Sequence, residues 1–232
     1  MFFNRFKTTL PCVALLLSQY ATAGPMGFEG STMLMGDFNN NWREAFANFA
    51  LTPRDAIGIS ATYMRSDDKS ITRTLEELTY TRLLNRWNKP NAQANLWFLG
   101  GVGLVQGRQL QGHELQIKNN SQNNQDSFNK VMLTPGIQFD YETTRVYFQA
   151  THRLYRASDI NHDFSSVRAG FSFYESAYDS TQPWLVLEAR NMNGLSDKIE
   201  LTPMLRLINK SFFVEAGMNT DYKPRFNFMY IF

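Results

Sequence analysis

The chain has 232 residues, of which 23 are Lys or Arg and 21 are Asp or Glu, with 43% hydrophobic and 14% aromatic side chains. This near-neutral balance offers no basic surface for nucleic acid, and a single cysteine rules out a disulfide framework or a thiolate metal centre. No segment beyond residue 23 approaches the run of about 18 apolar residues that a membrane helix requires, so a helical membrane protein is excluded as well.

At the start of the chain, Arg5 and Lys7 precede the apolar run Val13-Ala14-Leu15-Leu16-Leu17. Ala21-Thr22-Ala23 then places small residues where a signal peptidase reads. The pattern predicts a secretory signal over residues 1–23, cleaved before Gly24. Lipid modification of Cys12 is the weaker reading, because Thr9-Leu10-Pro11 makes a poor lipid-attachment box and precedes most of the apolar run. Arg5 and Lys7 leave with the signal, so the 23 basic residues become 21 against 21 acidic ones, and the mature chain has no cysteine. Residues 24–232 read as one domain, with no internal repeat or linker, whose fold rests on backbone pairing and burial.

Alternating apolar and polar residues, broken by Gly, Pro, Asn and Asp clusters, predict about twelve strands. In chain order they fall near 28–37, 42–52, 55–65, 71–84, 94–106, 128–140, 144–156, 164–175, 184–192, 197–208, 211–219 and 224–232. Merging weak strands gives ten or eight, mainly at the first two strands and over 184–210. The apolar faces include Val131, Leu133, Pro135, Ile137 and Phe139; Val146, Phe148 and Ala150; Val167, Ala169, Phe171 and Phe173; and Ile199, Leu201, Pro203, Leu205 and Leu207. Pro135 and Pro203 lack a ladder donor and mark a bulge or local opening. Between the fifth and sixth strands, the polar stretch 107–127 reads as a solvated surface loop.

The final strand alternates Phe226, Phe228, Tyr230 and Phe232. Together with the export signal, this ending resembles the terminal strand of Gram-negative outer-membrane β-barrels. The resemblance implies an all-β, transmembrane, antiparallel up-and-down barrel in the outer membrane. It also implies lipid and lipopolysaccharide as surroundings, and a barrel-assembly machinery that reads Phe226, Phe228, Tyr230 and Phe232. Such barrels have an even strand number, with both ends and the short turns in the periplasm. The long 107–127 connection then falls outside, and the turns at 52–55 and 140–143 fall inside; 86–91 is long for a periplasmic turn. Trp184, Tyr141, Tyr230 and Phe232 are expected in the inner aromatic rim, and Trp42, Tyr63 and Phe164 in the outer one. A soluble β-sandwich also alternates, but needs fewer aromatic strand ends. In size the chain is similar to small monomeric porins for acidic sugars, without a motif that carries their binding residues over.

The inward faces carry Glu77, Lys130, Arg145, Arg153, Arg168, Glu188, Arg190, Lys198, Glu200, Arg206, Glu215 and Arg225. Two readings stand. In one, Arg168, Glu188, Arg190, Glu200, Arg206, Glu215 and Arg225 form a cross-strand salt-bridge lattice that stiffens the wall. In the other, some arginines stay partly unpaired and guide an anionic solute, with Arg145 and Arg153, beside Tyr147 and Tyr155, as the preferred pore-lining residues. Methionine adds a second pattern: Met33, Met35, Met64, Met132, Met192, Met204 and Met229 alternate inward, and Met218 outward. Thioethers are soft ligands for Cu(I) or Ag(I), with Met33, Met35, Met132 and Met204 as candidates; as flexible side chains they also fill gaps in a plugged lumen.

No catalytic residue and no cofactor emerges. The His-x-Ser pattern of lipid-hydrolysing barrels does not occur, and in Asn161-His162-Asp163-Phe164-Ser165 the His162 and Ser165 side chains point to opposite faces of an extended segment. Asp159, His162, Asp163 and His113 lack the spacing of a metal motif. His152 is expected to face outward near the upper rim. A passive channel for small polar or anionic solutes is the first functional reading. A closed barrel acting through its external loops, a lipid-directed enzyme at the rim and soft-metal handling are the others.

Overall fold

A computed structural model describes residues 24–110, 125–176 and 180–232; the expected signal at 1–23 and most of the long polar loop lie outside the described residues. Thirteen strands follow one another: β1 (Thr32–Phe38), β2 (Trp42–Ala50), β3 (Asp55–Arg65), β4 (Ile71–Lys89), β5 (Ala92–Leu110), β6 (Gln125–Leu133), β7 (Gly136–Thr143), β8 (Val146–Ala157), β9 (Ile160–Phe171), β10 (Gln182–Asn193), β11 (Ile199–Asn209), β12 (Phe212–Met218) and β13 (Pro224–Ile231). All pairings are antiparallel. Both β6 and β7 pair with β5 on one side and β8 on the other, so they are two halves of one wall strand and the wall has twelve. The first strand meets the last through pairs such as Met35 with Met229, and the sheet closes without a free edge. This is the up-and-down transmembrane barrel that the sequence resembles.

The break between β6 and β7 has the cause the sequence suggests. Pro135 has no N–H for the ladder, so the wall opens at Thr134-Pro135 and re-forms around it: the Thr134 N–H donates to Gly101 O (2.9 Å) and the Leu154 N–H to Pro135 O (2.8 Å). Pro203 behaves otherwise, remaining in register with Leu187 inside an unbroken β11. Residues 86–91 are not a long turn. Instead β4 and β5 continue to a two-residue turn at Pro90-Asn91, with a register shift between Leu83 and Asn85. The first strand begins at Thr32 rather than 28, because residues 28–31 form a turn, exposed over 28–30 and closed by the Ser31 N–H to Phe28 O hydrogen bond (3.0 Å), while 24–26 are tucked into the barrel mouth.

The period of two sorts the side chains. Val131, Leu133, Ile137, Val146, Val167, Ile199, Leu201 and Leu205 are exposed on the outer wall, as an acyl-chain environment demands. Three rim assignments are corrected. Trp42, Trp184 and Phe164 point into the lumen; Trp42 and Trp184 are 1% and 3% exposed, and Phe164 packs against the Trp42 ring. Trp184 shares its face with Val186, Glu188 and Arg190, so a tryptophan near a strand end here serves the interior. Tyr141, Tyr230 and Phe232 remain exposed on the outside.

Gly103 on β5 lies where a neighbouring backbone passes closest. A Cβ there would sit 2.1 Å from the Glu76 carbonyl oxygen and 2.6 Å from the Glu77 Cβ. Gly103→Ala is therefore expected to destabilise the barrel by about 1–3 kcal/mol, measured as a lower urea midpoint for loss of the heat-modifiable folded form. An unchanged midpoint would show that the β4–β5 wall is not packed this tightly.

Candidate functional site: the barrel lumen

Alternation aims a charged side chain from most strands at the barrel axis, and the lumen gathers them into two networks. In the larger, Glu215 on β12 accepts from Arg206 Nε (2.5 Å) and pairs with Arg168. Glu188 lies between Arg168 and Arg225. Asp37 on β1 holds Arg225 (2.7 Å) and Arg190 (3.0 Å), and Arg190 reaches Glu200 at 3.6 Å. This network has four carboxylates and four guanidiniums. Neutral donors complete it: Ser166 Oγ donates to Glu188 (2.7 Å) and Asn227 Nδ2 to Glu215 (2.7 Å).

The smaller network stands across the lumen. Arg153 on β8 donates to Glu77 on β4 (2.8 Å) and to Thr134 Oγ1 (2.8 Å), and Glu44 on β2 lies 4.0 Å from the same guanidinium. Thr134 in turn donates to Glu77 (2.5 Å), and so does Ser60 (2.8 Å). Between the networks lies a chamber of about 190 Å³, whose lining includes Met35, Glu44, Tyr147, Arg153, Arg168 and Met229.

Apolar clusters close the chamber at both mouths. At the distal mouth Trp42, Met64, Leu75, Val105, Met132, Tyr155, Ile160, Met192 and Leu195 pack together, each at most 5% exposed. At the mouth where β13 ends, residues 24–26 fold inward. Asn48 Nδ2 donates to Pro25 O (2.8 Å), and Met26 packs with Ala50, Ala56, Leu83 and Trp97. Two further clusters sit at this end, one around Met33, Phe213, Met229 and Ile231, the other around Tyr147, Trp184, Val186 and Met204. Arginine planes join plugs to lattice: Arg206 lies 4.4 Å from the Tyr147 ring centroid and 4.9 Å from that of Phe213, and Arg153 lies 5.4 Å from that of Tyr155.

The lumen brings together Arg153, Arg168, Glu188, Arg190, Glu200, Arg206, Glu215, Tyr147 and Tyr155 of the expected wall residues. Arg145 is corrected: it stands in the turn after β7, outside the lumen, where it donates to Ser172 O (3.2 Å) and Phe173 O (3.0 Å) as a clamp between turns. Each arginine of the two networks has a carboxylate partner; Arg73, inward on β4 and 4% exposed, stands outside them, with His162 Nδ1 at 2.7 Å as its side-chain partner. Asp37, Glu44 and Thr134 were not foreseen as wall residues. Each was legible from alternation, Asp37 with Met33 and Met35, Glu44 with Phe46, and Thr134 from the outward Pro135.

The four candidate methionines do not converge. Met132 lies in the distal cluster, Met33 and Met35 beside Met229, and Met204 with Trp184. His162 is buried in β9, with Nδ1 2.7 Å from an Arg73 nitrogen and its ring stacked on Tyr155 at 4.3 Å. Ser165 faces the other way, 2.8 Å from Nδ1 of the exposed His152. Asp163 pairs with Arg156 and Asp159 with Lys130, while His113 falls outside the described residues. Among the described residues no three His, Cys, Asp or Glu side chains gather as metal ligands.

No family model matches the chain, and a search of curated proteins finds no match. Among solved structures it is similar to the KdgM porin, at 9% identity, covering 87% of this chain and 98% of that one, with a TM-score of 0.45. It is also similar to the N-terminal β-barrel domain of Pseudomonas aeruginosa OprF, at 10% identity, 89% and 100% coverage and a TM-score of 0.39. A third is OmpT of Vibrio cholerae lacking loop L8, at 8% identity, 88% and 97% coverage and a TM-score of 0.33.

Glu215 is 0% exposed and holds two guanidiniums. Glu215→Gln is expected to cost about 3–5 kcal/mol by leaving buried positive charge uncompensated, whereas Arg145→Ala at the turn is expected to cost about 1 kcal/mol or less. Guanidinium unfolding followed by tryptophan fluorescence measures both; equal losses would mean that the lattice is not the main support of the lumen.

Proposed function

We propose that this protein is an outer-membrane barrel whose lumen is closed at rest and whose function is carried at its mouths rather than by constitutive passage of solute. One observation carries the reading: the charges at the heart of the larger network are shut off from water. Glu188, Arg190, Arg206 and Glu215 are each 1% exposed or less, whereas the wall of an open aqueous pore is wetted along its length.

The distal mouth supports the same reading. The β3–β4 and β10–β11 connections spring from walls six strands apart on the ring, and they meet over the lumen. The Asp67 N–H donates to Leu195 O (3.3 Å), Ser196 Oγ donates to Asp67 Oδ2 (2.5 Å), and Asn41 Nδ2 donates to Asp67 Oδ1 (2.7 Å). Lys223 adds an ion pair to Asp67 at 3.8 Å. In the same β3–β4 turn, hydrogen bonds from Ser66 and Ser70 hold the Asp68 carboxyl down to about 2. Its contribution is complete above the ordinary aspartate range and is lost only as the pH falls through about 2, so this cap is not a physiological pH gate.

A second reading keeps the channel, because the polar chamber would become part of a continuous path if a plug withdrew. Planar-bilayer recording on the refolded mature protein separates the two. Silence from the wild type, with discrete conductance steps from Asp67→Ala/Ser196→Ala, is the expected result. Steady conductance from the folded wild type would overturn the closed-lumen reading in favour of a porin-like one.

A further inference from the structure

Leucine and methionine are sorted by face in this barrel. Among the described residues seven methionines but only three leucines are buried, whereas eleven leucines and one methionine, Met218, are among the exposed large hydrophobics. The two side chains are close in volume and exchange readily in cores, so a need for apolar filler alone would not separate them. What methionine brings to the interior is conformational freedom and a thioether sulfur.

Three of these thioethers occupy one stretch of wall. Met35 on β1 is the direct cross-strand partner of Met229 on β13, a position at which Cβ atoms stand about 5 Å apart. Met33, two residues before Met35, shares its inward face, and all three pack in one cluster with Phe46 and Phe213. Met35 and Met229 also line the central chamber. Met64, Met132 and Met192 share the distal cluster, but they come from β3, β6 and β10, which are not neighbouring strands.

Charge gives a second, independent indication. The larger ion network is balanced, but Glu44 and Glu77 share one guanidinium, that of Arg153. Glu44 also lines the chamber, on the strand that pairs with Met35: its register partner is Asp37, and that of Met35 is Phe46. Glu44 thus stands beside the soft donors with its one arginine shared and 4.0 Å away. Thioethers select soft ions such as Cu(I) and Ag(I) over hard divalent ones, and a weakly compensated carboxylate nearby favours a cation.

We propose that Met33, Met35 and Met229 form a binding site for a soft monovalent cation, Cu(I) or Ag(I), on the chamber wall. The site does not depend on whether the lumen conducts, because equilibrium binding needs only slow access. The test uses the folded mature protein in detergent and chloride-free buffer, with Ag(I) alone as the probe and bound silver counted by native mass spectrometry. Heat-modifiable mobility reports folding of every variant. One tightly held Ag(I) is expected in the wild type and in Met218→Leu, with affinity reduced about tenfold or more in Met35→Leu/Met229→Leu. If that double variant fails to fold, Met33→Leu serves in its place. No binding by the wild type, or undiminished binding by the folded variant, overturns the proposal. Loss confined to Met64→Leu/Met132→Leu/Met192→Leu overturns it too, by placing the metal at the distal mouth.

Discussion

Ionised groups enclosed by a hydrocarbon-facing wall must find their counter-charges within that wall, and the rest of the structure depends on this constraint. An unpaired ion in such a space costs several kcal/mol, so the lumen can hold Arg168, Arg190, Arg206 and Arg225 only because Asp37, Glu188, Glu200 and Glu215 reach them from other strands. Barrel width supplies the reason for such long side chains. Eight strands leave an interior that ordinary side chains fill, and twelve leave more. Arginine and glutamate span the extra distance and meet near the axis, so one set of residues both fills the volume and satisfies the charge.

The lattice and the plugs reinforce each other. Water at the mouths would raise the local dielectric and weaken each pair, and the apolar clusters keep it out. The arginines in turn present flat faces to the aromatic rings of those clusters, Arg206 to Tyr147 and Phe213, Arg190 to Phe164 at 5.8 Å. A guanidinium can use its edge for carboxylates and its face for a ring. Lysine could not do both, and none of the cations in the two networks is a lysine.

Most of the wall is legible in the sequence because a membrane barrel is governed by one period. Strand number, lipid-facing sets and the opening at Pro135 all follow from alternation and from proline's missing donor. The misreadings arose where a general habit was set above that period. Trp42 and Trp184 were expected at headgroup level because tryptophan favours membrane interfaces, although Trp184 alternates with Glu188 and Arg190. Arg145 fell just beyond its strand, where the period no longer applies. The pairing of charges was legible in part: the cross-strand lattice of Arg168, Glu188, Arg190, Glu200, Arg206, Glu215 and Arg225 forms as alternation suggests, but the part of Asp37 in it was not. Asp37 meets Arg190 and Arg225 across sequence separations of 153 and 188 residues, and only closure of the ring sets those distances.

The same pairing bears on the electrostatic expectation for solutes. An arginine draws an anion to the extent that its charge is uncompensated, and each guanidinium of the two networks already faces at least one carboxylate within 4.0 Å. Adding Glu44 and Glu77 against the single Arg153 leaves the combined networks one charge negative rather than positive. A count of arginines on the inner face suggests anion preference; the carboxylates paired with the lattice arginines weaken that argument. The inward groups outside that balanced lattice include Glu44 and Glu77 with Arg153, Arg73 with His162, and the thioethers, so a count of arginines alone does not set the charge of the lumen.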